Sequence, residues 1–479
     1  MSSADAVEAA KPAPTFSKGY RGWLLFILLL VNALNLADRQ GMAVTAPAIK
    51  ADLHLTDSQV GLILGLGFAI FYTLLGLPLA RMAERMNRAR IVSVCVAVFG
   101  GMVAACGAAT GFAQFLLCRV GVGVGDAGFG PPVASLIGDH YPMRKRASAM
   151  TIIWLGAPIG AVAGSVGGGW VAQHVGWRTW FLILSIPAVL VALVGFFTLR
   201  DPPRGMSDEG GPTAVGAAPP SIWEVVRFLW AKKSFRHILA GGALAAMSMN
   251  ALGQFLARFL VAEFHVGYAE AGRLLGMMSG VAMASGLALG GFGVDWAGKF
   301  DRRWYVWGPA ATLLLAAPLF FIGADQKTVV ATVLVMMLGH VALFVYYTPT
   351  LALAQNMAGA NMRASSAFVA SLVLGLIGTG LGPTVVGILS DVMAHQAFKL
   401  GDFGAMCPGG AAPAGADPSL GQACSSASAA GVKHAIMAMS LLFAWASLHY
   451  LLASRHLRKD LDTRYDPKDA AVEALEART

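Results

Sequence analysis

Twelve stretches of about twenty apolar residues alternate with short polar breaks along this chain. They fall at 23–46, 60–80, 90–108, 112–137, 147–173, 179–199, 237–261, 271–293, 304–323, 329–353, 364–391 and 433–454. Each runs continuously instead of alternating apolar with polar, so the pattern predicts helices and disfavours a β-barrel. At about 1.5 Å per residue each is long enough to cross a hydrocarbon core of about 30 Å. Wide polar gaps occur only at 200–222, at 395–432 and at the two ends. The first gap is rich in Pro and Gly and reads as a linker that splits the spans six and six. The expected organisation is a tail at 1–22, a six-helix bundle at 23–199, a linker at 200–236, a second bundle at 237–454 and a tail at 455–479. Within the linker, Trp223, Phe228, Leu229 and Trp230 mix with Arg227, Lys232, Lys233 and Arg236. That mixture predicts an amphipathic helix on an anionic membrane surface.

Composition agrees. Of 479 residues, 56% are hydrophobic and 13% are charged. Soluble domains carry about 25% charged residues. A soluble multidomain enzyme, a disordered chain and a fibrous one are thereby excluded, leaving an all-α polytopic membrane protein. The net charge of +9 resembles that of a nucleic-acid binder until its placement is considered. With both termini on one side, 26 Lys and Arg residues lie on that side, 6 lie opposite and 3 lie inside spans. The excess is topogenic. It predicts a multi-pass protein of the inner (plasma) membrane with both termini cytoplasmic, and no nucleic-acid partner. No cleavable signal peptide is evident. Five cysteines with no CxxC or Cys/His cluster predict no metal and no cofactor. Cys407 and Cys424 fall in the outer gap at 395–432, where an oxidising compartment allows them to pair. Cys95, Cys106 and Cys118 lie within spans and read as small packing residues.

Two loops repeat at a separation of 211 residues: Ala80-Arg-Met-Ala-Glu84-Arg85-Met-Asn87-Arg88 and Gly291-Phe-Gly-Val-Asp295-Trp-Ala-Gly298-Lys299. Each has a small residue, a carboxylate four later, a turn-former seven later and a base eight later. Matched loops in two six-span halves predict a parallel repeat of the kind secondary transporters use. This pattern resembles the G-x-x-x-D-R-x-G-R signature of the major facilitator superfamily. The first copy departs from it at Ala80, Glu84 and Asn87. The resemblance covers residues from about 20 to 455 and implies two pseudo-symmetric six-helix bundles, with a monomer as the default state. It also implies that Glu84, Arg85, Arg88, Asp295 and Lys299 latch the halves together on the cytoplasmic side.

Ionisable residues at bilayer depth are costly and mark function. Asn35, Asp38 and Arg39 lie in the first span, and Arg119 and Asp126 in the fourth. Asn250, Gln254 and Arg258 lie in the seventh, and His340, Tyr346 and Tyr347 in the tenth. Arg119 and Asp126 are two helical turns apart on one face, on a helix thinned by Gly121, Gly123, Gly125, Gly128 and Gly130. The run Arg119-Val-Gly-Val-Gly-Val-Gly-Asp126-Ala resembles the R-x-x-x-G-x-G-E-A element of the Spinster family, with Asp126 where that family usually has Glu. Asp38-Arg39 is similar to its membrane-embedded Asp-Arg pair. Ile137-Gly-Asp-His-Tyr-Pro142 is similar to its span 4–5 loop.

The expected function is proton-coupled secondary transport by alternating access, with Asp38, Asp126, Arg39 and Arg119 exchanging partners. Asp38 is the first choice of titrating group and Asp126 the second. Asn250, Gln254 and Arg258 recur every four residues and are expected to line one substrate-facing stripe. Arg39, Asn35, Arg119 and Tyr346 are expected to join them around the cargo. The Spinster resemblance implies an amphipathic anionic lipid, of the lysophospholipid or sphingosine-1-phosphate kind. A small organic anion such as a sugar acid is the alternative cargo. A non-transporting membrane sensor is the alternative of another class, and no enzyme is expected.

Overall fold

The structure, a computed structural model, describes residues 16–141, 143–203, 222–358 and 362–462. All regular structure among them is helical. Among the described residues, twelve helices are long and apolar enough to cross a membrane. They are α1 (Lys18–Leu53), α2 (Asp57–Gly76), α3 (Arg88–Ala108), α4 (Phe112–His140), α5 (Ser148–His174), α6 (Trp177–Thr198), α7 (Lys233–Phe264), α8 (Tyr268–Gly298), α9 (Trp304–Ala324), α10 (Val329–Asn356), α11 (Phe368–Ala397) and α12 (Pro418–Ser454). Every apolar stretch in the sequence falls on one of these. The 395–432 gap is narrower than its composition suggests. α11 runs to Ala397 and α12 begins at Pro418, with Asp417 capping its first turn. The connection is therefore 398–417, and its small and hydroxylic neighbours, Ser419 to Ala430, are helical.

Within the first half α1 packs on α5 and α6, and α3 on α4 and α6. In the second half α7, α9 and α11 all pack on α12. The halves meet through α2 with α11, α5 with α8, and α1 with α7. Glycine spacing explains the closest of these pairings. A Cβ at Gly156, Gly160 or Gly164 of α5 would stand 2.4, 2.0 or 2.3 Å from the carbonyl oxygens of Leu29, Ala33 and Ala37 of α1. The four-residue period on each helix lets the two backbones touch along three turns.

Several helices are interrupted. α2 breaks at Gly65, whose ψ is −102°, and the Leu66 N–H donates to Thr384 Oγ1 of α11 at 3.4 Å. α4 breaks after Ala127, one residue past Asp126. α10 breaks between Phe344 and Tyr347. α11 carries a π-helical segment at Leu374–Leu381. In lipid such breaks need partners from neighbouring helices, because no water is there to satisfy the freed backbone groups.

The linker helix Ile222–Ala231 is amphipathic. Val225 and Leu229 are fully buried, and Trp223 and Trp230 are exposed. Lys232 ends it by donating to the carbonyls of Met357 (2.8 Å) and Asp460 (2.6 Å). Burial lowers the pKa of Lys232.

Candidate functional site

The four ionisable residues of α1 and α4 come together, and their partners cross. Arg119 Nη1 lies 2.8 Å from Asp38 Oδ2. Arg39 Nη2 bonds Asp126 Oδ2, and Asn35 Nδ2 donates to the other Asp126 oxygen. Each residue of the Asp38-Arg39 doublet thus reaches a different residue on α4. α2 supplies the floor: the Arg39 guanidinium lies 4.5 Å from the Phe68 ring centroid and 5.6 Å from that of Tyr72. The glycines of α4 make this convergence possible. A Cβ at Gly123 would stand 2.6 Å from the Phe68 carbonyl, and one at Gly125 would meet the α3 backbone at Phe99 and Cys95.

The two pairs differ in access to water. Arg39 and Asp126 side chains are 27% and 8% exposed, whereas Arg119 and Asp38 are 3% and 1% exposed. Asp38 Oδ1 and the Nε atoms of Arg39 and Arg119 are buried without a hydrogen-bond partner among the described residues. The pair at Arg39 and Asp126 is therefore the more exposed of the two.

The second half contributes less than its polar stripe suggested. Asn250 is half-buried and donates to its own helix at Ala246 O, 2.9 Å away. Gln254 is half-buried with Oε1 unpartnered. Arg258 makes contacts of a different kind. Its Nε lies 2.7 Å from Asp57 Oδ1, and its Nη2 donates to Ser428 Oγ at 2.9 Å. Tyr346 and its neighbour differ in burial. Tyr346 is fully buried in the core of the second half. Tyr347 is exposed instead, and it lies close enough to Arg39 to interact electrostatically. The α10 break sits at this doublet and determines which of two adjacent tyrosines faces the first half. His340 is buried and bonds Met336 O, one turn back on its own helix, at 2.9 Å.

Asp57, a residue the sequence reading did not single out, organises the end of the molecule where the halves are closed. Its Oδ1 also receives Lys50 Nζ at 2.7 Å, and its Oδ2 accepts from Ser390 at 2.7 Å. Asp391 of α11 accepts from the backbone N–H of Asp57 (3.0 Å) and of Ser58 (2.7 Å). It caps the first turn of a helix belonging to the other half. The only local signal was the capping box Thr56-x-x-Gln59 that starts α2. Backbone contacts crowd at the same end: Gly61 against Pro383, Gly387 against Asp57, and Gly169 against Tyr268. Cys407 and Cys424 are disulfide-bonded. The loop they close lays Gly409 against the backbone of His54, and Gly410 (φ +85°) beside Lys50 Nζ.

At the opposite end, the described contacts of Arg88 and Asp295 in the repeated loops are the following. Arg88 is fully buried within the first half. It reaches Asp201 at 2.7 Å, Asp139, Ser135 Oγ at 2.8 Å and the Pro202 carbonyl at 2.7 Å. Asp295 accepts from Tyr305 within the second half at 2.6 Å. Arg85 and Lys299 are exposed. The side chain of Glu84 lies outside the described residues.

Residues 28–383 match the family model described as Major Facilitator Superfamily. A bacterial homologue of the human lysosomal transporter Spinster, solved in an inward-facing, unoccupied conformation, is 32% identical. It superposes with a TM-score of 0.85 over 94% of this chain and 100% of its own. An MFS-type efflux pump of Mycolicibacterium smegmatis is 30% identical over 78% of this chain and 86% of its own. A probable sphingolipid transporter, spinster homolog 1 of Arabidopsis thaliana, is 22% identical over 81% of this chain and 86% of its own.

Proposed function

The chain belongs to the major facilitator superfamily and is a Spinster-like transporter, not an enzyme, and on that premise we propose that it carries an amphipathic anionic lipid in exchange for, or together with, protons. The observation that carries the reading is the crossed pairing of α1 with α4, wet on one side and dry on the other. Arg39 stands half-exposed, held by Asp126 and laid over Phe68 and Tyr72. A guanidinium so placed offers free donors to a phosphate or carboxylate head group. An anion that draws Arg39 away leaves Asp126 without its counter-charge, and an uncompensated carboxylate at this depth takes up a proton. Cargo and proton thereby compete for, or share, one switch. Asp38 with Arg119 serves as the fixed counterpart that keeps α1 registered on α4 through the cycle.

The positive-inside distribution supports an orientation with both termini cytoplasmic in the inner (plasma) membrane. The closed end at Asp57 is then the outer one, and the conformation is open to the cytoplasm. The lipid assignment draws on the resemblance to Spinster proteins. The half-exposed aromatic wall of Phe71, Tyr72 and Tyr347 suits an acyl chain as well as a head group.

The test is uptake by purified protein in proteoliposomes, of labelled lysophospholipid and of hexuronate, with and without a pH gradient. Gradient-driven accumulation of the lysolipid is expected in wild type. It is expected to be lost in Asp126→Asn, with binding retained. In Asp38→Asn both binding and accumulation are expected to fall, because Arg119 loses its partner. Accumulation of hexuronate alone would assign the cargo to small organic anions. Undiminished accumulation by Asp126→Asn would remove the coupling role.

A further inference from the structure

One aromatic ring stands between the two ion pairs. The guanidinium carbon of Arg39 is 4.5 Å from the centroid of Phe68, and that of Arg119 is 5.7 Å from the same centroid. The ring is buried. Tyr72, one turn further along α2, stacks on it at 5.5 Å and reaches Arg39 as well. Phe68 is pinned where α2 crosses α4, since its carbonyl touches Gly123. Gly123 lies between Arg119 and Asp126 in sequence, so one helix crossing sets the ring against both pairs.

We propose that Phe68 is a positioning residue of the proton switch, whose ring holds Arg39 at the cavity wall while Asp126 is protonated. The inference rests on the proton-coupling reading above. The π face of a ring carries partial negative charge and attracts a guanidinium within about 6 Å. With Asp126 ionised, Arg39 has a full counter-charge and the ring adds little. With Asp126 protonated, the ring still lies against Arg39 at 4.5 Å, while the Asp38 carboxylate, which also acts on Arg39, is shared with Arg119. The ring therefore favours the protonated state more than the ionised one, and eases proton uptake. The other groups that face this switch are Asp38 from α1, Arg119 from α4, Tyr72 from α2 and Tyr347 from α10. Cys95 of α3 lies against Gly128, just past Asp126. Of all these, only the two carboxylates have ordinary values in the acidic range.

Three substitutions test the role in the full chain: Phe68→Leu and Phe68→Met, which keep apolar bulk without the quadrupole, and Phe68→Tyr, which keeps the ring. Two curves are read against pH. One is gradient-driven uptake of labelled lysophospholipid in proteoliposomes. The other is the Tm of purified protein in detergent, whose Asp126-dependent step is identified by its absence in Asp126→Asn. Leu and Met are expected to move the midpoint of both curves to more acidic pH by roughly half a unit to one unit. Tyr is expected to retain the wild-type midpoints. A wild-type midpoint in folded Phe68→Leu or Phe68→Met overturns the proposal. So does failure of both to fold while Phe68→Tyr folds, since the ring would then matter only for packing. Absence of any Asp126-dependent step in wild type overturns it too. If wild type shows no gradient-driven uptake but the Tm step moves as expected, the positioning role stands and the coupling reading falls.

Discussion

Arg258 of α7 approaches Asp57 of α2 to 2.7 Å, and the contact crosses from one six-helix half to the other. Lys50 of α1 reaches the same carboxylate oxygen at the same distance. One buried carboxylate therefore balances two buried cations. Removing one member of such a cluster leaves uncompensated charge and costs about 3–5 kcal/mol, even where the intact cluster adds little net stability. Asp57→Asn is expected to disfavour the closed end by that order and to drive the halves apart there. Spin labels at Thr56 and Gln396, both exposed near that end, report the separation. An unchanged distance distribution in Asp57→Asn would show that the backbone contacts alone hold the end shut.

The α1–α5 seam has no room for a methyl group at Gly160, where a Cβ would stand 2.0 Å from the Ala33 carbonyl oxygen. Gly160→Ala is expected to cost about 1–3 kcal/mol, read as a lower Tm in detergent. Gly101 of α3 has nothing within 4 Å of the same added atom. Gly101→Ala is the matched control, and its Tm is expected to stay level or rise. Equal losses at both positions would assign the effect to helix chemistry in general and not to the seam.

The Cys407–Cys424 bond closes a segment with a sequence separation of 17 residues. Loop-closure arguments give about 3 kcal/mol for a loop of that size. Removing the bond by paired Ser substitution, or with reductant, is expected to lower Tm under otherwise identical conditions. The reductant is expected to change nothing further in the Ser pair. A reductant effect that persists in the Ser pair would point to the remaining thiols instead.

Asp325, just past α9, bonds Lys433 at 2.8 Å and is 63% exposed. Its pKa is lowered, first by that hydrogen bond and then by the Lys433 charge. A carboxyl held below its unfolded value stabilises the fold above the ordinary carboxylate range, and that contribution disappears as pH falls through the lowered value. The effect is small because water screens the pair. The Tm difference between wild type and Asp325→Asn is expected to favour wild type at neutral pH and to vanish at the acid end. A difference that is constant with pH would exclude the ion pair as its source.

The spans were legible because continuous apolar runs have only one use at that length. The charged residues Asp38, Arg39, Arg119 and Asp126 stood out because ionisable groups at bilayer depth are expensive. Which arginine meets which aspartate was not legible. Adjacent residues on a helix point about 100° apart, so the crossed pairing depends on the rotation and depth of α1 against α4. Tyr346 and Tyr347 illustrate the same limit: at the break in α10 the second is exposed near Arg39 and the first lies in the core. Asp57 and Asp391 escaped notice because carboxylates near helix ends are common and cheap. Their importance comes from lying opposite each other across two halves that are 333 and 334 residues apart in sequence at the bonded positions.

Local composition by itself determined that this chain is a membrane bundle, how many times it crosses, and which charges it keeps at depth. Those properties follow from transfer free energy, which is summed along a segment and needs no knowledge of neighbours. Only the tertiary structure decided who pairs with whom, which end is shut and which ring lies under Arg39. Those depend on close contacts between helices far apart in sequence, and such contacts are set by how surfaces fit together.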